Sequence, residues 1–299
     1  MRVAAVDLGT NSTRLLVADV DDGRIDEVGR SLTITRLGEG VDTRRRLLPL
    51  PIARVRNVLS DYRRELERLG AERTLAVGTS AVRDAENREA FLGEIEWSYG
   101  FSTQLLSGEE EARMTWRGVT AGRELDGETM VVDIGGGSTE LITAAGHDSI
   151  DVGCVRMTER LGEDVDAIEA YVQEIVPDRE VTRAIGVAGT ITTLAALDLG
   201  GYDRDRVHGH VLTAGTVDDL LRSFASLQLE DRRQLPGLEP ERAPVIVAGA
   251  AILRALLRRY RLDRIEVSEH DLLHGAALAA AELPAPVEGE APPGAYTCC

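Results

Sequence analysis

At the start of the chain the apolar positions fall in short blocks broken by turn residues, which is the pattern of consecutive strands. Residues 3–6 read as a buried strand, 7–12 as a polar glycine turn and 13–20 as the returning strand. "DDG" is a hairpin turn into a third strand over 24–35. The period then changes. From 51 to 69, Ile52, Val55, Leu59, Tyr62, Leu66 and Leu69 share one face at helical spacing. A short strand at 74–78 enters the loop "TSAVRDA", 87–99 reads as a helix and "STQLL" as a strand. "SGEEEARMTWRGV" opens another helix at Ser107 or Gly108.

The opening pattern then returns. A strand over 129–133, a turn over 134–137, and strands over 139–144 and 149–155 repeat the first unit. Asp7, Gly9, Ser12, Thr13, Leu15 and Ala18 match Asp133, Gly135, Ser138, Thr139, Leu141 and Ala144 at a constant offset of 126 positions. The chain therefore reads as two copies of one βββαβα half, with a boundary near 116–128. The second half continues with helices near 163–176, from about 191, over 216–227 and over 244–260. Strands are expected at 183–187 and at "RIEVS", and a last Ala-rich helix over 271–283. The tail "PAPVEGEAPPGAYTCC" has the composition of a disordered segment.

Composition narrows the chemistry. The 299 residues are 43% hydrophobic, enough for a large core, and carry a formal net charge of −17. Such a surface argues against nucleic acid as a partner. No apolar run is long enough for a membrane span, and the start of the chain lacks a signal-peptide pattern, so a cytoplasmic location is expected. The 34 basic residues are all arginine. Without lysine there is neither a P-loop lysine nor a Schiff-base lysine. Phosphate would have to be held by arginine, backbone amides, hydroxyls or a metal. Cys154, Cys298 and Cys299 form no disulfide or zinc pattern, and the terminal pair lacks a lipidation motif. The pairs His208/His210 and His270/His274 lack further ligands at metal-binding spacing.

Two turns, "DLGTNST" and "DIGGGST", carry the candidate chemistry. One such turn alone reads as a tight β-turn. Two in a duplicated register, each after Asp and before Ser-Thr, point to phosphate binding. Glycine lets amides approach an anion, and the hydroxyls of Ser12, Thr13, Ser138 and Thr139 add donors. After Ser-Thr the copies diverge, to Arg14 in the first and Glu140 in the second. Asp7, Asp133 and Glu140 are hard oxygen ligands of the kind Mg²⁺ or Mn²⁺ takes beside phosphates, and each could equally fix its turn by hydrogen bonding.

The chain resembles the exopolyphosphatase and guanosine pentaphosphate phosphohydrolase family, within the actin, heat-shock ATPase and sugar-kinase superfamily. The resemblance is carried, in order, by "AAVDLGTNSTRLLVADV", "AVGTSAVRDAEN", "LLSGEEEARMTWRGV", "VVDIGGGSTELI", "DVGCVRMTER" and "GVAGTITTLAAL". "VIVAGAAILRALL" and "IEVSEHDLLHGAAL" extend it to about residue 280. It implies an α/β fold of two duplicated ribonuclease H-like (actin-like ATPase) domains with an interdomain cleft. They would span 1–120 and 121–284, before a disordered tail over 285–299. It also implies that Asp7, Gly9, Thr10, Asn11, Ser12 and Arg14 line a phosphate channel, with Arg83 contacting phosphate. Glu111 matches the family's catalytic glutamate. Asp133, Gly135, Gly136, Gly137, Ser138 and Glu140 match its second phosphate and metal loop.

The implied reaction is the hydrolysis of terminal phosphoanhydride bonds of inorganic polyphosphate, with Glu111 as general base and Mg²⁺-assisted binding. Two alternatives stay open: a guanosine pentaphosphate phosphohydrolase, and a sensor that binds guanosine tetra- or pentaphosphate with little turnover. "GEEEAR" also reads as an acidic first helical turn, which suffices for Glu109 and Glu110. Larger members carry an added C-terminal helical domain that this sequence lacks, so short or medium polyphosphate is the expected substrate. A homodimer is the commonest closed assembly and the expectation here.

Overall fold

The computed structural model describes residues 1–284. The expected disordered tail and the Cys298/Cys299 pair lie outside the described residues. Contacts divide the described chain into two units, one of Met1–Arg123 with residues 272–284, the other of Glu124–Asp271. The boundary falls three residues later than the expected 120/121, and the last helix leaves the second half and packs in the first unit.

The first unit runs β1 (Arg2–Leu8), β2 (Ser12–Asp21), β3 (Arg24–Ile34), α1 (Val41–Arg44), α2 (Pro49–Leu69), β4 (Arg73–Gly78), α3 (Ser80–Asp84), α4 (Arg88–Tyr99), β5 (Ser102–Leu105) and α5 (Gly108–Val119). Its sheet has the order β3-β2-β1-β4-β5, antiparallel among the first three strands and parallel from β1 through β4 to β5. Side chains alternate between faces along each strand. Ala4, Val6, Leu8, Leu15 and Val17 face α2, α3 and α4, the face that the period-3.6 pattern of Val55, Leu59, Tyr62 and Leu66 predicts. Val3, Ala5, Leu16, Ala18 and Val77 build the opposite core. Expected as a loop, "SAVRD" closes instead into the short helix α3.

The second unit runs β6 (Thr129–Ile134), β7 (Thr139–Thr143), β8 (Gly146–Ile150), α6 (Cys154–Leu161), α7 (Val165–Ile175), β9 (Arg183–Val187), α8 (Ala188–Asp198), α9 (Arg204–Val207), β10 (Val211–Thr213), α10 (Ala214–Ser226), α11 (Leu229–Arg232), α12 (Ile246–Arg259) and β11 (Arg264–Val267). Its sheet order, β10-β11-β9-β6-β7-β8, repeats that of the first unit, with β10 added at the β11 edge. The two expected ribonuclease H-like domains are thus both present. The third strand ends earlier than expected. Val152 N donates to Ile150 O at 2.7 Å, and Gly153 then caps α6. Cys154 consequently opens a helix rather than lying in a strand, and it is a buried free thiol.

The chain ends, among the described residues, in α13 (Leu272–Glu282). Leu272, Leu273, Ala276, Ala277 and Ala280 cover the second face of the first unit's sheet, beside α5. The approach to α5 is close: a Cβ on Gly275 would lie 1.9 Å from Met114 O.

Candidate active site

In the first unit the turn between β1 and β2 is closed by Gly9 N donating to Ser12 O at 3.0 Å. Its carbonyls are turned outward to the following segment. Asn11 O accepts from Thr35 N at 3.1 Å and Arg36 N at 2.8 Å, and Thr10 O accepts from Gly38 N at 2.8 Å. A Cβ on Gly9 would sit 2.8 Å from Ser12 O, so the tight turn itself requires this glycine. The Asn11 side chain is buried, and its Nδ2 has no hydrogen-bond partner among the described residues. A buried amide donor without an acceptor costs free energy.

Asp7 closes β1 and Arg14 lies directly opposite it on β2, so both side chains leave the same face of the sheet. Arg14 donates to Asp7 Oδ2 from Nε at 2.9 Å and Nη2 at 2.8 Å, and both residues are buried. This is the α5 face of the sheet, and Glu111 enters it from the first turn of α5. Arg83, on α3, donates through Nη1 to Glu111 Oε2 and to Leu106 O, each at 2.9 Å. Glu111 is only 7% exposed. Burial pushes its carboxyl up to about 7, with Arg83 opposing the shift, Asp7 adding to it and Arg14 opposing. Asp7, Arg14, Arg83 and Glu111 thus form one electrostatic cluster.

The acidic helix start resolves into three roles. Glu109 is exposed and pairs with Arg113 at 3.2 Å. Glu110 completes a capping box with Ser107, receiving from Ser107 N at 2.8 Å while Ser107 Oγ accepts from Glu110 N at 3.2 Å. Glu111 alone is buried in the cluster.

In the second unit the turn repeats the first: Gly135 N donates to Ser138 O at 3.0 Å. Its carbonyls rest on the start of α6. Gly135 O accepts from Cys154 N at 3.0 Å, and Gly136 O from Val155 N at 2.8 Å and Arg156 N at 3.1 Å. Arg156, buried, donates from Nε to Gly137 O at 2.6 Å. With the carbonyls engaged there, the amides of Gly136 and Gly137 meet no hydrogen-bond acceptor among the described residues. Successive amides in that state form an anion-binding concavity. Arg156 and Gly153 fix this turn, and sequence reasoning gave neither a role. A Cβ on Gly153 would lie 2.4 Å from Gly136 C and Gly137 N. A glycine immediately before a helix that begins behind a glycine turn is the signal that could have found them.

The expected Thr donors are corrected. Thr13 Oγ1 pairs with Thr35 Oγ1 at 2.9 Å, and Thr139 Oγ1 donates to Val152 O at 2.6 Å. Neighbours on a strand face opposite ways, so the serine and threonine of one doublet cannot serve the same ligand. Ser12 and Ser138 remain at the turns.

Asp133 and Glu140 stand directly opposite each other on β6 and β7, in the register that holds Asp7 and Arg14 in the first copy. Glu140 Oε1 accepts from Ser149 Oγ at 2.8 Å. Among the described residues no group of at least three His, Cys, Asp or Glu is placed to enclose a metal. Asp133 and Glu140 are hard oxygen donors of the type that Mg²⁺ or Mn²⁺ takes alongside water and phosphate. Asp7, the third expected ligand, commits Oδ2 to Arg14. The histidines have other partners. His210 Nε2 lies 2.8 Å from Asp198 and His274 Nε2 lies 2.8 Å from Glu27, while His208 Nδ1 accepts from Glu269 N at 3.2 Å. No described helix is long and apolar enough to cross a membrane.

The sequence pattern described as the Ppx/GppA phosphatase family matches residues 16–282. Exopolyphosphatase 2 of Mycobacterium tuberculosis is 36% identical over 94% of this chain and 98% of its own length. The guanosine-5'-triphosphate,3'-diphosphate pyrophosphatase of Aeromonas salmonicida is 29% identical over 91% of this chain, which spans only 58% of that protein. Among solved structures, the Aquifex aeolicus PPX-GPPA enzyme superposes with a TM-score of 0.78 at 33% identity, over 93% of this chain and 99% of that one.

Proposed function

The chain belongs to the Ppx/GppA phosphatase family, and from that premise we propose that it is an exopolyphosphatase, releasing terminal orthophosphate from inorganic polyphosphate. The observation that carries the reading is Glu111, a buried carboxylate with its proton affinity tuned to about 7, held by Arg83 beside Asp7 and Arg14. A general base works best when its pKa lies near the working pH.

In this mechanism each turn is an anion site in its own unit: the amides of Thr10 and Asn11, with Ser12 and the Asn11 side chain, hold phosphate oxygens in the first, and the amides of Gly136 and Gly137, with Ser138, do so in the second. Gly9 and Gly135 keep the two turns tight enough for that approach. Glu111 orients a water and takes its proton as the water oxygen attacks the terminal phosphorus. The bridging P–O bond breaks, orthophosphate departs, and the shortened polymer keeps the bridging oxygen. Arg14 and Arg83 offset the charge on the transferred phosphoryl. Asp133 and Glu140 of the second unit would hold Mg²⁺ or Mn²⁺, which when bound neutralises phosphate oxygens.

Orthophosphate release from polyphosphate and from guanosine pentaphosphate, measured side by side, tests the proposal. Polyphosphate is expected to be the better substrate. Turnover of guanosine pentaphosphate alone would replace this reading, and tight nucleotide binding without turnover would make the protein a sensor. Excess chelator is expected to abolish release and added Mg²⁺ or Mn²⁺ to restore it. Full activity in chelator would remove the metal from the mechanism.

A further inference from the structure

In a chain with 51 acidic and 34 basic residues, most arginines meet a carboxylate. Arg2 pairs with Asp19, Arg56 with Glu94, Arg232 with Glu163 and Arg254 with Glu169. The run Arg44-Arg45-Arg46 breaks this rule. All three are exposed, and among the described residues their only ion pair is a loose one, Arg45 Nη1 to Asp84 Oδ1 at 3.9 Å. The side chains of Arg44 and Arg46 have no ion pair or hydrogen bond among the described residues.

The backbone that carries the run is anchored at both ends to the phosphate machinery of the first unit. Upstream, Thr35, Arg36 and Gly38 donate to Asn11 O and Thr10 O of the glycine turn. Gly38 is pressed so closely on that turn that a Cβ would lie 2.3 Å from Thr10 Cγ2. Downstream, Glu86 N donates to Arg45 O at 2.8 Å. Leu47 exchanges hydrogen bonds with the Asn87 side chain, N to Oδ1 at 2.9 Å and Nδ2 to O at 3.1 Å. These bonds fix residues 45–47 to the turn that follows α3, the helix bearing Arg83. The uncompensated cations therefore stand on a strap that runs from the phosphate turn to Arg83.

We propose that Arg44 and Arg46 bind internal phosphates of the polymer, those beyond the terminal unit being hydrolysed, and so set the preference for longer over minimal substrates. The inference rests on the exopolyphosphatase reading. Two solvent-facing guanidinium groups suit an extended polyanion whose negative charge repeats along its length. Such contacts are screened by salt and act on affinity, with no part in bond breaking.

The test is the double variant Arg44→Ala/Arg46→Ala, assayed on tripolyphosphate and on chains of tens of phosphates at several salt concentrations. The kcat on both substrates and KM for tripolyphosphate are expected to stay within about twofold, while KM for the longer chains rises roughly tenfold at moderate salt. The slope of log affinity against log salt for the longer chains should flatten by about one to two, one for each lost phosphate contact. Lysine at both positions should recover most of the affinity. Arg64→Ala/Arg68→Ala removes the same charge from residues paired with Asp61 and Glu65 on the same unit, and it should leave the length dependence intact. An equal change on both substrates, or none on either, overturns the proposal. If the wild-type protein releases no phosphate from any polyphosphate, the exopolyphosphatase reading falls. Equilibrium binding of long-chain polyphosphate to wild type and double variant then still decides the arginine assignment, and equal affinities reject it.

Discussion

Glu111→Gln is expected to lower phosphate release by on the order of 10²–10⁴ with substrate affinity unchanged or tighter. Glutamine keeps the shape and can still accept from Arg83, but it cannot take the proton of the attacking water. In wild type the activity should rise with pH through about 7, where the carboxyl ionises, and this limb should vanish in the variant. Stability should move the other way. Burial raises the folded-state pKa from 4.5 to about 7, so between those values the folded protein holds a proton that the unfolded chain has lost. Stability from this group is therefore lost as pH rises through that window, and Glu111→Gln should gain thermal stability relative to wild type at pH 8 more than at pH 5. Glu110→Gln is the control. Glutamine also serves in a capping box, so activity should stay within about twofold. Equal activity of Glu111→Gln and wild type at saturating substrate and metal would end the assignment of Glu111 as the base.

Gly275→Ala is expected to destabilise the fold by about 2–3 kcal/mol, although alanine is the better helix former by about 1 kcal/mol. The reason is space. The new methyl would lie 1.9 Å from Met114 O and 2.7 Å from Met114 C, both backbone atoms of α5 that no rotamer change can move. α13 must then shift away from α5, the helix that presents Glu111. Urea denaturation should show a lower midpoint, with residual activity reduced at temperatures where the variant is still folded. A variant as stable as wild type would mean that the two helices part without cost. Gly93→Ala, where nothing lies within 4 Å, is the matching helical control and should be neutral or stabilising.

The sequence pattern revealed most of the strands and helices because each has one buried face with a clear period. The repeat of Asp7–Ser12 at Asp133–Ser138 made the duplication legible, and the two sheets follow it strand for strand up to β10. What the pattern missed has physical causes. β10 covers Val211–Thr213, too short to show a period. Residues 149–155 are apolar enough for a strand, but Gly153 turns the chain into α6. Thr13 and Thr139 looked like ligand donors because spacing along the chain does not state which face a side chain takes. Composition could not separate Glu109, Glu110 and Glu111, and only the resemblance singled out the third. The difference between them is burial, set by the face of α5 on which each falls, since consecutive residues lie about 100° apart around a helix. Arg156 was invisible as a turn-fixing residue because its partner is a carbonyl, which leaves no trace in side-chain identity.

The path of the chain has a consequence for how the protein is made. The first unit receives its last helix, α13, only after the whole of Glu124–Asp271 has been synthesised. Until then Val3, Ala5, Leu16 and Val77 lack the helix that covers them. The second unit, by contrast, is one uninterrupted stretch and can close as soon as β11 leaves the ribosome. The earliest residues to emerge are therefore among the last to be sealed. A nascent chain stalled just before Leu272 should expose an apolar sheet face to chaperones, while its later-made half is already protected from protease.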